Sequence, residues 1–174
     1  MKNVKFLLSA ALVFLASAAL AQDFSAPQYA KWGATPEERE QNILNSNFLK
    51  ESCDNRDYDA AAHYLKGLID KIPDAAESIY QRGAVVYKNK INRAKSVAEK
   101  NMFIDSLMLM YDMRAQYFGD NVKPGKTAFI LDQKAREFLR YKPNDRKGIR
   151  EAFRAAIAQG GDSCLLYTSP SPRD

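Results

Sequence analysis

The sequence predicts an all-α protein in which antiparallel helix hairpins stack into a short array. Three observations predict it. Beyond residue 35, apolar residues recur at steps of three and four, the spacing that lines one face of a helix. Only eight glycines and seven prolines occur in 174 residues, and long stretches contain neither, which favours helix over turn-rich folds. Two proline junctions, around Pro73 and around Pro143, each stop one helix and start the next, because proline cannot continue a helix that reaches it. With 46% hydrophobic and 27% charged residues, the composition is that of a soluble globular chain. It indicates neither wholesale disorder nor a multi-span membrane protein.

Residues 1–21 carry Lys2 and Lys5, an apolar run from Phe6 to Leu20, and Ala19-Leu20-Ala21 before Gln22. This three-part layout predicts a secretory signal peptide. The alternative is an uncleaved anchor, but the apolar run is shorter than the roughly 20 residues a span needs. No cysteine follows the cleavage position, so a lipid-anchored form is not supported. The mature chain is expected to be exported, in the periplasm if the signal is that of a Gram-negative bacterium, with no stable membrane anchor after cleavage. The formal net charge of +5 drops by two with Lys2 and Lys5, and the remaining charges are interspersed. Such a balance does not call for nucleic acid.

Residues 22–35 form a lead-in with Tyr29 and Trp32, and residues 36–161 the helical domain. Thr35-Pro36-Glu37-Glu38 combines a capping hydroxyl, a proline at the first helical position and a reciprocal glutamate. The helix that starts there either runs on into the 50s or breaks near Asn45-Ser46-Asn47. Between Asn47 and Asp74 lies the stretch around which the chain is organised. A helix through Phe48, Leu49 and Ser52 ends in the polar turn Cys53-Asp54-Asn55-Arg56. The next, capped by Asp57, puts Ala61, Leu65, Leu68, Ile69 and Ile72 on one face. So short a turn forces the two helices antiparallel. A hairpin this small cannot bury its stripe alone, so further hairpins must stack on it.

Asp74 and Glu77 form the next N-terminal signature, opening a helix through Ile79, Gly83, Val86 and Tyr87. Lys88 to Lys100 reads as the solvated face of a helix rather than as a stripe for anionic ligands. From Met102 to Phe118 large apolar residues cover more than one face, so this helix is expected to be sandwiched. Core packing is the ordinary use of such residues, and a methionine-rich binding groove is the alternative. Gly119 ends the run and Asp120–Lys126 is a loop. Helices follow over Thr127–Tyr141 and from Asp145 to Gly160-Gly161, the last lined by Ile149, Ala152, Phe153, Ala156 and Ile157.

The Asp57-Tyr58 turn, small Ala61, large Leu65, closing Pro73, and then Gly83 and Tyr87 resemble the tetratricopeptide repeat family. Leu49, Leu68 and the lack of an opening tryptophan depart from its pattern, and the match covers about one repeat well. The resemblance implies a short α-solenoid of two to three helix pairs acting as a non-catalytic scaffold for a protein or peptide partner. In that family the first helix of each pair lines the concave groove. Position by position, this nominates Lys50, Tyr80, Ala84 and Lys88, with the register of the last three resting on Gly83.

Cys164 to Asp174, CLLYTSPSPRD, differs in composition from everything before it. It resembles the conceptual translation of a transposase mosaic-end adapter from sequencing-library preparation, so residues 162–174 are set apart as a non-native tail. A genuine Ser/Pro linker is the alternative. On the adapter reading, the natural gene continues past about Gly161, Phe153 and Ile157 are left partly exposed, and a Cys53 to Cys164 disulfide is not expected.

Chemistry-bearing patterns are few. His63 is the only histidine and has no second ligand at metal spacing. The sequence shows no phosphate loop, nucleophile elbow or paired-histidine zinc motif, so neither cofactor nor metal is implied. Arg146, Arg150 and Arg154, four apart, share one helical face and would clamp a phosphate or carboxylate if they were not simply solvated. Two rivals stand beside the scaffold reading. One is a helical support for a larger envelope enzyme or glycan-handling protein whose site lies beyond this chain. The other is a structural protein that self-assembles.

Overall fold

The structure, a computed structural model, describes residues 22–160. The signal peptide expected over 1–21, the tail over 162–174 and Cys164 lie outside the described residues. Within them the chain is all helical. A 3₁₀ turn at Pro27–Trp32 precedes α1 (Pro36–Asp54), α2 (Tyr58–Lys71), α3 (Glu77–Arg93), α4 (Val97–Phe118), α5 (Lys126–Tyr141) and α6 (Arg146–Gly160).

The local signals account for most of these boundaries. Thr35 Oγ1 accepts the Glu38 N–H at 3.2 Å, and Glu38 reaches back to the Ala34 N–H at 2.9 Å. α1 then runs unbroken through Asn45-Ser46-Asn47, with Asn42 and Ser46 turned inward. The hairpin turn places Arg56 at φ 59°, and Asp57 Oδ1 accepts the Ala60 N–H at 3.1 Å to start α2. Asp145 Oδ1 caps α6 through the Gly148 N–H at 2.8 Å.

Two expectations are corrected. α3 starts from Ala76 with no side-chain cap, so Asp74 is not its cap. The turn from Ile72 to Ala75 consumes that residue, and Glu77 faces α4 and α5 instead. The basic stretch Lys88 to Lys100 is also not one helical face, because α3 ends at Arg93 and α4 begins at Val97. Ser96 Oγ accepts the Glu99 N–H at 3.1 Å, and Glu99 accepts the Lys95 N–H at 2.7 Å. This Ser-x-x-Glu start was present in the sequence.

Successive helices pack on one another from α1 to α6, and α1 also touches α3, giving three stacked hairpins. α3 and α5 run parallel, since Glu77 pairs with Lys126 and Lys88 with Glu137, both at a separation of 49 residues. First helices begin at Pro36, Glu77 and Lys126, so the spacings are 41 and 49 residues. The tetratricopeptide period is about 34, so the likeness in sequence does not extend to the period of this array.

One core cluster runs from Leu49 through Leu65, Leu68, Ile79 and Tyr80 to Met110 and Phe118, and a second holds Ile91, Ile104, Leu107, Tyr111 and Ile130. Gly83 sits where the two meet α2 and α4. A Cβ there would stand 2.7 Å from Met110 Sδ and 3.2 Å from the Leu65 methyls, so α2 and α4 both approach α3 closely at this glycine. α4 is sandwiched, as its apolar density requires, with Phe103, Ile104, Leu107, Met108 and Met110 all buried. At the far end, Ala156 is the one buried residue of α6, Phe153 is half-buried and Ile157 is 41% exposed.

Candidate interaction surface

α2 and α4 run in the same direction on either side of α3. Leu65 and Met110 both close on Gly83, while Asp59 and Phe103 both meet Lys90 two turns further along α3. Between them lies an open groove of about 490 Å³. Its α4 wall is Met102, Ser106, Leu109 and Met113, spaced so that they share one helical face. The α2 wall is Ala62, Lys66 and Ile69, and Tyr87 and Lys90 form the floor.

The groove is apolar and nearly neutral. Met102 is 55% and Leu109 51% exposed, two large side chains left in water beside a concavity. Both cations along it are already engaged. Lys66 pairs with Asp70, and Lys90 pairs with Asp59 while lying 5.1 Å over the Phe103 ring. The hydrogen bond from Lys90 holds the Asp59 carboxyl below its ordinary range. Methionine side chains adapt to varied apolar shapes, and no free charge selects an anion. His63 stands on the rim, exposed, its ring edge against Tyr64. Among the described residues no group of three or more His, Cys, Asp and Glu is placed to hold a metal ion.

A second arrangement crosses three helices. The Glu77 carboxylate accepts from Arg114 Nε of α4 at 2.9 Å and from Lys126 Nζ of α5 at 2.6 Å, and Arg114 also donates to Gln133 at 3.0 Å. Burial alone would raise the Glu77 carboxyl, but the hydrogen bonds from Lys126 and Arg114 outweigh it and the net shift is downward. One layer on, burial works against the Lys88 ammonium, and its hydrogen bond to Glu137 leaves it raised nonetheless. Glu137 Oε2 and Asp132 Oδ1 are the buried side-chain oxygens without a hydrogen-bond partner among the described residues. Both groups belong to the packing of α5.

Lys50, Tyr80, Ala84 and Lys88 are not brought together into a groove. Lys50 is exposed on α1 and pairs with Asp54 at 2.6 Å. Tyr80 is 1% exposed. Its hydroxyl donates to the Pro73 carbonyl at 2.7 Å and its ring stacks on Tyr117 with centroids 6.3 Å apart. Burial pushes its phenol far above the ordinary range. Ala84 is buried in the second core cluster, and Lys88 is half-buried against α5. The groove-facing placement is therefore corrected for Tyr80 and Ala84, because both are buried, Tyr80 against Tyr117 and Phe118 of α4 and Ala84 within the second core cluster. The strip that meets water is Gln81, Val85 and Asn92, displaced by one residue, or about 100° around the helix. Arg146, Arg150 and Arg154 do share one exposed face of α6, and no ion pair engages them among the described residues.

Sequence reasoning named the methionine groove only as an alternative and did not assign residues to it. Its signal was the polar Ser106 in the stripe of Met102, Leu109 and Met113, which marks that stripe as an edge rather than core. Comparison with protein-family models, curated proteins and solved structures gives no match.

Proposed function

We propose that the chain is an exported, non-catalytic interaction scaffold whose groove between α2 and α4 takes the apolar face of a peptide or helix from another protein. The observation that carries this reading is the groove itself. It is open, lined by methionine and leucine at one-face helical spacing, and has its nearby charges internally paired. An amphipathic helix laid in such a trough would bury anchors three and four residues apart. The tetratricopeptide likeness around Asp57 to Tyr87 supports the same class of role, with the binding face moved from the first helices to the second.

The test is selection of peptides from a displayed library against the folded protein, followed by binding to Met102→Glu and Leu109→Glu. Both side chains are exposed, so the variants should keep the helical circular dichroism of the parent. A carboxylate in the trough should weaken selected peptides at least tenfold. Peptides that bind both variants as tightly as the parent would remove the groove from consideration.

A further inference from the structure

The methionines among the described residues, Met102, Met108, Met110 and Met113, all lie on α4. They divide by face. Met108 is buried in the second core cluster and Met110 in the first, with the Met110 sulfur set against Gly83. Met102 is exposed and Met113 half-buried, and both stand in the α4 wall of the groove, about three turns apart. The methionines that solvent reaches are therefore those that a ligand in the groove would touch.

A thioether in such a place has one characteristic reaction. Its sulfur lone pair attacks an oxygen of hydrogen peroxide, the O–O bond breaks and an S–O bond forms. The proton on the transferred oxygen goes to the departing hydroxide, which leaves as water. Sulfur gives up two electrons, the peroxide takes them, and the product is methionine sulfoxide, polar where the thioether was apolar. The free thiol of Cys53 must ionise before it can compete, and burial pushes its pKa up. It also lines no part of the groove. Within the trough the new oxygen finds few donors, since Lys66 and Lys90 are held by Asp70 and Asp59, and the Ser106 hydroxyl already donates to the Met102 carbonyl at 2.9 Å. Water satisfies it while the groove is empty. An apolar side chain laid over it would strip that water away and leave a buried acceptor unpaired.

We propose that Met102 and Met113 are an oxidation site that switches off binding in the α2/α4 groove, with peroxide as the oxidant. The inference rests on the groove being the binding face. The fold survives the switch, because the two buried methionines that hold α4 against its neighbours are the two that the oxidant does not reach.

The test treats the full chain with hydrogen peroxide, maps the added oxygen by mass spectrometry of its peptides, and measures binding of library-selected peptides before and after. The expected result is oxygen on Met102 and Met113 ahead of Met108 and Met110, with the helical circular dichroism retained. Affinity should fall about tenfold or more, the cost of burying one unpaired acceptor. Met102→Leu/Met113→Leu keeps an apolar wall without sulfur, and peptides selected on that variant should bind it equally well before and after peroxide. Oxidation of Met108 or Met110 as fast as Met102 overturns the proposal. So does a parent that gains oxygen at Met102 and Met113 and keeps its affinity, or a leucine variant that loses affinity as the parent does. Failure of the groove reading itself is seen before any oxidant is added, as peptides indifferent to Met102→Glu and Leu109→Glu, and it would overturn the switch as well.

Discussion

Gly83 lies against Met110 so closely that a Cβ on it would stand 2.7 Å from the thioether sulfur. The contact lets α3 nest between α2 and α4, and it sets the height of Leu65 against Met110 across the array. Gly67 on α2 has nothing within 4 Å of where its Cβ would be. The same substitution should therefore have opposite signs at the two sites. Gly67→Ala gains the ordinary helix preference of alanine, about 0.5–1 kcal/mol. Gly83→Ala gains the same but must displace Met110 and Leu65, and overpacking of this kind costs about 1–3 kcal/mol. Urea unfolding should show a higher midpoint for Gly67→Ala and a lower one for Gly83→Ala, with Met110→Ala relieving the second in a double variant.

Glu77 joins three helices, and its carboxyl is held below the ordinary range by Lys126 and Arg114. A carboxyl depressed on folding contributes stability that is complete above its unfolded-state pKa. That stability is lost as pH falls through the lower folded-state value. Thermal unfolding of the parent should thus weaken once pH drops below the ordinary glutamate range. Glu77→Gln, which keeps an acceptor but not the charge, should start less stable at neutral pH and show less of that acid-dependent loss. Glu77→Ala also strips Arg114 and Lys126 of their acceptor, and should cost about 1.5–3 kcal/mol at neutral pH. A Glu77→Gln profile parallel to the parent from neutral to acid pH would assign the acid sensitivity to other carboxyls.

The fold was legible where the signal was local. Thr35-Pro36-Glu37-Glu38, Asp57 and Asp145 each name a helix start, and the structure uses all three because a side-chain acceptor beside orphan N–H groups needs no tertiary help. α1 could not be resolved at Asn45-Ser46-Asn47 from sequence, because polar residues there look like a break until Asn42 and Ser46 are seen turned inward. Asp74 was misread for the converse reason, since the preceding turn, not the side chain, decides where α3 begins. The face of α3 was the least legible feature. Tyr80, Ala84 and Lys88 are as consistent with a groove as with a core, and only tertiary packing decides, with the end of α4 over Tyr80, the second cluster around Ala84 and Glu137 of α5 on Lys88.

Tyr80 offers a direct check on that correction. Its hydroxyl donates to the Pro73 carbonyl at 2.7 Å in a part-buried bond, and Tyr80 does not line the α2/α4 groove. Tyr80→Phe should lower stability by about 0.5–1.5 kcal/mol, the usual net value of such a bond. It should leave the affinity of groove-selected peptides unchanged. Leu109→Glu should do the reverse, and the pair of measurements separates a packing residue from a binding one.

Asn42 is buried on α1 and donates its amide to the Trp32 carbonyl at 2.8 Å, while Arg39 reaches the carbonyls of Gly33 at 2.9 Å and Phe24 at 3.1 Å. Together they hold residues 24–33 against the first hairpin, where Trp32 packs on the core. Trp32 is the only tryptophan, so its emission reports this docking alone. Asn42→Ala leaves a partly buried carbonyl without its donor, at a cost of about 1 kcal/mol, which the lead-in can avoid by peeling away. The expected result is a red-shifted emission and faster proteolysis within residues 22–35, with the helical circular dichroism intact. Emission unchanged from the parent would mean that apolar contact alone seats Trp32, and that the Asn42 bond adds nothing to it.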